Sequence, residues 1–291
     1  MLERIAGIVF PIYAVVAVGY VYGRRKRPDM TFANQLNMDI FVPALVFAAL
    51  SSKSFDLMQN INLLIGGTLV VLGTGLLSWP VASLLKVEPN TFVPPMMFKN
   101  SGNMGLPLMV LAFGENALPA AVVLFFVENT LHYSLGTWML DHHARLTRLW
   151  RIPVIAAALA GLAVSVFQLP LWQPLWLGVK LLGDVSIPLL LFSLGVRLVD
   201  SRQGDWRISI AGAITSPAIG ILVALVLVLL MDLSERDAAM LLVFGALPPA
   251  VLNYIFAERY GQEPERVASI VMVGNVASLV FIPAALAWVL R

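Results

Sequence analysis

Ten apolar stretches, each about long enough to cross a bilayer as a helix, fill almost all of this chain. A crossing helix needs roughly 20 apolar residues. The stretches run at about 4–23, 32–52, 61–85, 90–113, 117–140, 152–168, 174–199, 207–231, 236–258 and 265–290. The longest gaps, Asp141 to Arg151 and Asp200 to Trp206, leave no room for a soluble domain. A β-barrel would instead show alternation over roughly ten-residue strands. Val154 to Val166 has no such alternation. The expectation is one all-α membrane domain over 1–291, with the lipid bilayer as a partner.

Charge supports that expectation. Only 12% of residues are charged, about half the share in an average soluble domain. This excludes a soluble enzyme, a nucleic-acid partner and a disordered chain. With no cysteine, disulfides and thiolate metal sites are excluded. His142 and His143 lie in a basic loop and give no reason to expect a metal. HExxH, GxSxG and Walker-type loops are absent, so no enzyme activity and no cofactor are expected.

The positive charges also orient the chain. Arg24, Arg25, Lys26 and Arg27 follow the first apolar run, whereas a cleaved signal peptide carries its charges before it. With ten spans, one side holds 13 Lys and Arg residues and the other holds Arg4, Lys53, Arg236 and Arg291. Basic loops stay in the cytoplasm. The expectation is a multi-pass protein of a bacterial inner membrane with both termini outside.

The chain repeats. Asp39-Ile-Phe-Val-Pro43 in span two matches Asp184-Val-Ser-Ile-Pro188 in span seven, with Phe47 and Phe192 four residues beyond each proline. Phe113-Gly114-Glu115 is echoed by Tyr260-Gly261-Gln262, and Asn129 by Asn275. The offsets are 145, 147 and 146, close to half the chain. Each half, 1–140 and 152–291, holds five spans. An odd number inverts the second half, and inverted repeats are a signature of secondary transporters with sites near the bilayer midplane.

Spans four and nine carry the breaks. Span four reads Pro94-Pro95-Met-Met-Phe-Lys99-Asn100-Ser101-Gly102-Asn103-Met-Gly105-Leu-Pro107, and span nine reads Gly245-Ala-Leu-Pro248-Pro249-Ala-Val-Leu-Asn253. Proline removes a helix hydrogen bond and clashes with the preceding turn. Freed backbone groups cannot face lipid and must line a protein-enclosed or watery cavity. Both spans should break near the middle and cross there. A half-helix N-terminus attracts a carboxylate, so an anion site needs no dedicated arginine.

Ionisable groups inside spans are functional candidates. Lys99 either attracts an anion or snorkels to an interface. Glu128 is a candidate carrier of a coupling proton. Asn129 and Asn275 should face the crossover. Asp39 and Asp184 have two open readings, an ion site or a structural role such as capping a break. Lys180, four residues before Asp184, is in register to pair with it.

These residues resemble the auxin efflux carrier family, which includes plant auxin carriers and bacterial malate and malonate permeases. The resemblance covers essentially the whole chain. It rests on Asn100-Ser-Gly-Asn103-Met-Gly105-Leu-Pro107, Phe113-Gly114-Glu115-Asn, Glu128-Asn129, Leu247-Pro248-Pro249-Ala-Val-Leu-Asn253, Ala257-Glu-Arg-Tyr260-Gly261 and Ser278. It implies a ten-helix fold related to bile acid:sodium symporters. Spans one, two, six and seven would form a scaffold and a homodimer. Spans three to five and eight to ten would form an elevator-like transport domain. Asn100, Ser101, Asn103 and Pro107 would lie on one side of the bound substrate and Pro248, Pro249 and Asn253 on the other, with Asn129 and Asn275 nearby. Glu128 departs from the glutamine expected beside the helix-five asparagine and hints at proton linkage. The long loop between halves seen in many plant members is absent.

The expected function is a secondary carrier for small organic anions, either auxin-like weak acids or dicarboxylates such as malate. One alternative is a sodium-coupled symporter of the same fold. The other is a membrane receptor that binds an acid without moving it.

Overall fold

The computed structural model describes residues 2–52, 55–142, 146–199 and 205–290. The loop residues Lys53, His143, Arg145, Asp200, Arg202 and the terminal Arg291 lie outside them. Among the described residues the fold is all helical, apart from a one-residue β-bridge between Lys99 and Pro249.

Among the described residues, seven helices are long and apolar enough to cross a membrane. They are α1 (Leu2–Lys26), α2 (Thr31–Leu50), α3 (Leu57–Leu85), α6 (Glu115–Leu140), α8 (Gln173–Arg197), α9 (Trp206–Leu230) and α12 (Pro264–Val289). The fourth and ninth stretches are each split, into α4 (Pro89–Met97) with α5 (Ser101–Phe113) and α10 (Glu235–Ala246) with α11 (Leu252–Tyr260). The sixth, α7 (Pro153–Val166), has 14 residues. At 1.5 Å per residue it covers about 21 Å, less than a typical hydrocarbon core.

The matched Asp and Pro residues explain local irregularities. A proline cannot donate to the carbonyl four residues back. For Pro43 that carbonyl is Asp39, which sits in a wide π-turn at Asn37–Phe41. For Pro188 it is Asp184, and the helix is interrupted at Val185. Both aspartates are exposed. Lys180 Nζ contacts Asp184 Oδ1 at 3.0 Å and Oδ2 at 2.8 Å, so the expected pair forms along one helix face.

Packing is reciprocal. Helix α1 packs on α8 and α7 on α2, while α3 packs on α4 and α6 as α9 packs on α10 and α12. Helices α3 and α9 also touch. Close approach depends on glycine where α9 meets α10. A Cβ on Gly220 would lie 2.0 Å from the Gly245 carbonyl oxygen, and a Cβ on Gly245 would lie 2.4 Å from the Gly220 oxygen. Large apolar side chains cover the outside, with Leu229 83% and Leu84 82% exposed. Such a surface suits lipid rather than water.

Candidate functional site

The two breaks meet. The Asn100 N–H donates to the Pro248 carbonyl at 2.7 Å, and the Ala250 N–H donates to the Phe98 carbonyl at 3.0 Å. These bonds form the Lys99–Pro249 bridge. The prolines dictate the arrangement. The Phe98 N–H still reaches the Pro94 carbonyl, but past it the chain runs extended at Phe98 (φ −98°, ψ 112°). Pro248 and Pro249 have no N–H to continue α10. Each broken segment therefore takes its missing partners from the other.

Side chains tie the crossing down. Asn253 Nδ2 donates to the Phe98 carbonyl at 3.0 Å and the Ala250 carbonyl at 2.9 Å. Asn275 Nδ2 donates to the Pro249 and Val271 carbonyls at 3.0 and 2.8 Å, and its Oδ1 accepts from Asn100 Nδ2 at 2.8 Å. Asn129 Nδ2 donates to the Phe125 carbonyl at 2.9 Å. Ser278 Oγ donates to the Asn275 carbonyl and contacts the Tyr13 hydroxyl, which joins α12 to α1.

A cavity of about 350 Å³ opens beside the bridge, within the usual range for small-molecule sites. It is lined by Lys99, Asn100, Ser101, Gly102, Asn103, Glu128 and Asn129, and by Val251 and Leu252 from the other break. The first N–H groups of a helix have no partner inside it. Here the N–H groups of Gly102 and Asn103 at the start of α5, and of Val251 and Leu252 at the start of α11, have no backbone acceptor among the described residues. All four residues line the cavity. Two half-helix N-termini thus converge on one space, an arrangement suited to an anion.

The charged residues have distinct settings. Lys99 is buried, and its Nζ donates to the carbonyl and hydroxyl oxygens of Ser216 on α9, both at 2.7 Å. Glu128 is buried, and its Oε1 accepts from the Lys99 N–H at 2.7 Å. Its Oε2 has no partner. His132 lies face to face with Phe98, ring centroids 4.1 Å apart, and edge-on to Phe256.

Five of the expected residues are buried beside the cavity without lining it: Pro107, Pro248, Pro249, Asn253 and Asn275. Four of these hold the breaks together, and Pro107 sits in the first turn of α5 past the π-turn Ser101–Gly105. Asp39 and Asp184 lie away from the cavity, on exposed helix faces.

Sequence reasoning missed one wall. Asn34 and Asn37 of α2, Ser193 and Arg197 of α8, Tyr133 of α6 and Arg259 of α11 all line the cavity. Two arginines, Arg197 and Arg259, border a site for which the half-helix starts by themselves required none. Arg197 had a signal, since it lies inside the apolar stretch 174–199. Among the described residues, three π-turns, seen only in the structure, mark the same cavity, at Asn37–Phe41, Ser101–Gly105 and His132–Gly136. Each contributes residues to the cavity, and π-turns inside α-helices are frequent at functional sites.

Comparison with known proteins finds a match to the family model described as membrane transport protein, over residues 5–146 and 142–286. A protein of Rhizobium meliloti named "Putative malonate transporter" is 24% identical over 96% of this chain and 93% of its own. An uncharacterized transporter of Methanocaldococcus jannaschii is 22% identical over 97% of this chain and 98% of its own.

Proposed function

The chain belongs to the membrane transport protein family, and on that premise we propose that it is a secondary carrier of small organic anions. The family is the one the sequence resembled, and with the seven long apolar helices it makes this a multi-pass membrane protein. The observation that carries the substrate class is the convergence of four unpaired N–H groups, from two half-helix starts, on one cavity. A carboxylate would accept from them, with Asn100, Ser101, Asn103 and Asn129 as neutral partners. Pro248, Pro249, Asn253 and Asn275 would hold the two half-helices in place. The name of the Rhizobium relative supports an organic acid.

The proposed architecture has ten spans in two inverted repeats, 1–140 and 152–291. The reciprocal packing of α1 on α8 and α7 on α2 supports it. In this reading α1, α2, α7 and α8 form a scaffold that pairs in a homodimer. The remaining helices carry the substrate past that scaffold. The distribution of Lys and Arg supports placing both termini outside the cytoplasm of a bacterial inner membrane. The cavity extends toward Arg197 and Arg259, on the same side as Arg24 to Arg27, which would be the cytoplasmic one. Glu128, buried beside the anion site with one free carboxyl oxygen, is the proposed carrier of a coupling proton.

Counterflow in proteoliposomes tests the carrier reading because it needs no driving gradient. Vesicles loaded with unlabelled malonate or malate should accumulate the labelled acid in sodium-free buffer. Accumulation only after sodium is added would move the assignment to a sodium-coupled symporter. Binding of the acid without accumulation would refute carriage.

A further inference from the structure

The cavity has a second polar wall that, like the first, presents donors to the space. Leu190, Ser193 and Arg197 are spaced three and four residues apart on α8 and share one face, and all three line the cavity. Arg197 is half-buried and makes no hydrogen bond or ion pair among the described residues. A guanidinium presents five N–H donors in a planar fork that matches a carboxylate. Ser193 Oγ, one turn away, is buried with no partner, and so is Oδ1 of Asn37 on α2, which also lines the cavity. Buried polar atoms in folded proteins nearly always have partners. Here three donors or acceptors lie unused on one wall while the half-helix N–H groups lie unused on the other.

We propose that Arg197 binds the second carboxylate of a short dicarboxylate whose first carboxylate lies against the two half-helix starts. This rests on the carrier reading and deepens it, by choosing the dicarboxylate over the monocarboxylic weak acid. One carboxylate satisfies one wall and leaves the half-buried guanidinium without an anionic partner. Two carboxylates give an acceptor to the donors of both walls, Arg197 and Ser193 included, whereas Asn37 Oδ1 is itself an acceptor and is not served by them. The second negative charge also suits the balance of the cavity, where Lys99, Arg197 and Arg259 stand against the single acid Glu128. Arg259 is the weaker candidate for this contact. It is exposed, and its guanidinium already lies over the Tyr260 ring at 5.7 Å. Arg197 ends the α8 helix, where a cation also favours the helix dipole. That role would affect stability alone and would not distinguish between substrates.

The test compares labelled malonate and labelled acetate in counterflow, for the wild type, Arg197→Gln and Arg197→Lys. Melting temperatures in detergent verify that the variants are folded. The wild type should prefer malonate. Arg197→Gln should lower the malonate-to-acetate ratio of kcat/KM by about tenfold or more, the lower range for losing a hydrogen bond to a charged group. Arg197→Lys should keep part of the preference as a point charge without the fork. Ser193→Ala should lower the ratio to a smaller extent. An unchanged ratio in a folded Arg197→Gln variant overturns the proposal, as does a wild type that treats the two acids alike, and in both cases the carrier reading stands. A wild type that carries neither acid, nor any other organic acid, removes the carrier reading and this proposal with it.

Discussion

Asn275 is the junction of the crossing, and replacing it with alanine has a cost that can be worked out from its contacts. Its side chain donates to the Pro249 and Val271 carbonyls and accepts from Asn100 Nδ2. Val271 is helical and retains its backbone bond. The Pro249 carbonyl and Asn100 Nδ2 would both be stranded in a buried site. Each stranded group costs about 1–3 kcal/mol, so Asn275→Ala should destabilise by about 2–6 kcal/mol. Asn100→Ala loses the same shared bond but strands only Asn275 Oδ1, for about 1–3 kcal/mol. Interhelical hydrogen bonds in one membrane protein average about 0.6 kcal/mol, so the lower ends of both ranges are the better guide. At about 2–4 °C per kcal/mol, Asn275→Ala should melt at least about 4 °C below the wild type in detergent. The double variant strands the Pro249 carbonyl but no longer Asn100 Nδ2, so it should melt no lower than Asn275→Ala, and the cycle should return a coupling of about 0.5–3 kcal/mol or more. Counterflow should be lost in all three. Additive losses, or an Asn275→Ala variant that melts and transports like the wild type, would refute the view that this side chain holds the two breaks together.

Four other outcomes are expected. Glu128→Gln keeps an acceptor for the Lys99 N–H, so counterflow should persist while uptake driven by a pH gradient fails; gradient-driven uptake equal to wild type would remove Glu128 from coupling. Lys99→Met removes a cation close to that carboxylate and both charge-assisted bonds to Ser216, which should cost on the order of 3 kcal/mol; adding Glu128→Gln should recover part of it, as read by melting. Gly220→Val drives a side chain into the Gly245 carbonyl and should cost at least about 1–3 kcal/mol, seen as aggregation by size exclusion, whereas Gly7→Ala, with open space around its Cβ, should be neutral. The chain has no cysteine, so single cysteines report topology directly: a membrane-impermeant maleimide should label Arg25→Cys only from the cytoplasmic side and Asn116→Cys only from the opposite side.

The membrane setting was legible in the residues alone, because burying the backbone in lipid demands long apolar helices and the chain has little else. The two breaks were equally legible, since proline cannot donate a hydrogen bond wherever the chain places it. Pro94, Pro95, Pro248 and Pro249 therefore marked the crossing without any knowledge of the tertiary contacts. The same rule explains Asp39 and Asp184. They stand out as charges, but they are the residues to whose carbonyls Pro43 and Pro188 cannot donate, and their side chains face outward.

Which side chains reach the cavity was decided only by packing. Asn253 and Asn275 look like ligands in sequence, but the buried carbonyls of Phe98 and Pro249 at the breaks engage their amides first. Arg197 looked like one more loop charge at the end of a span. The approach of α8 to the breaks brings it into the cavity beside Ser193. A helix fixes which residues share a face, and its neighbours fix where that face points. The sequence determined the first, and the tertiary structure alone decided the second.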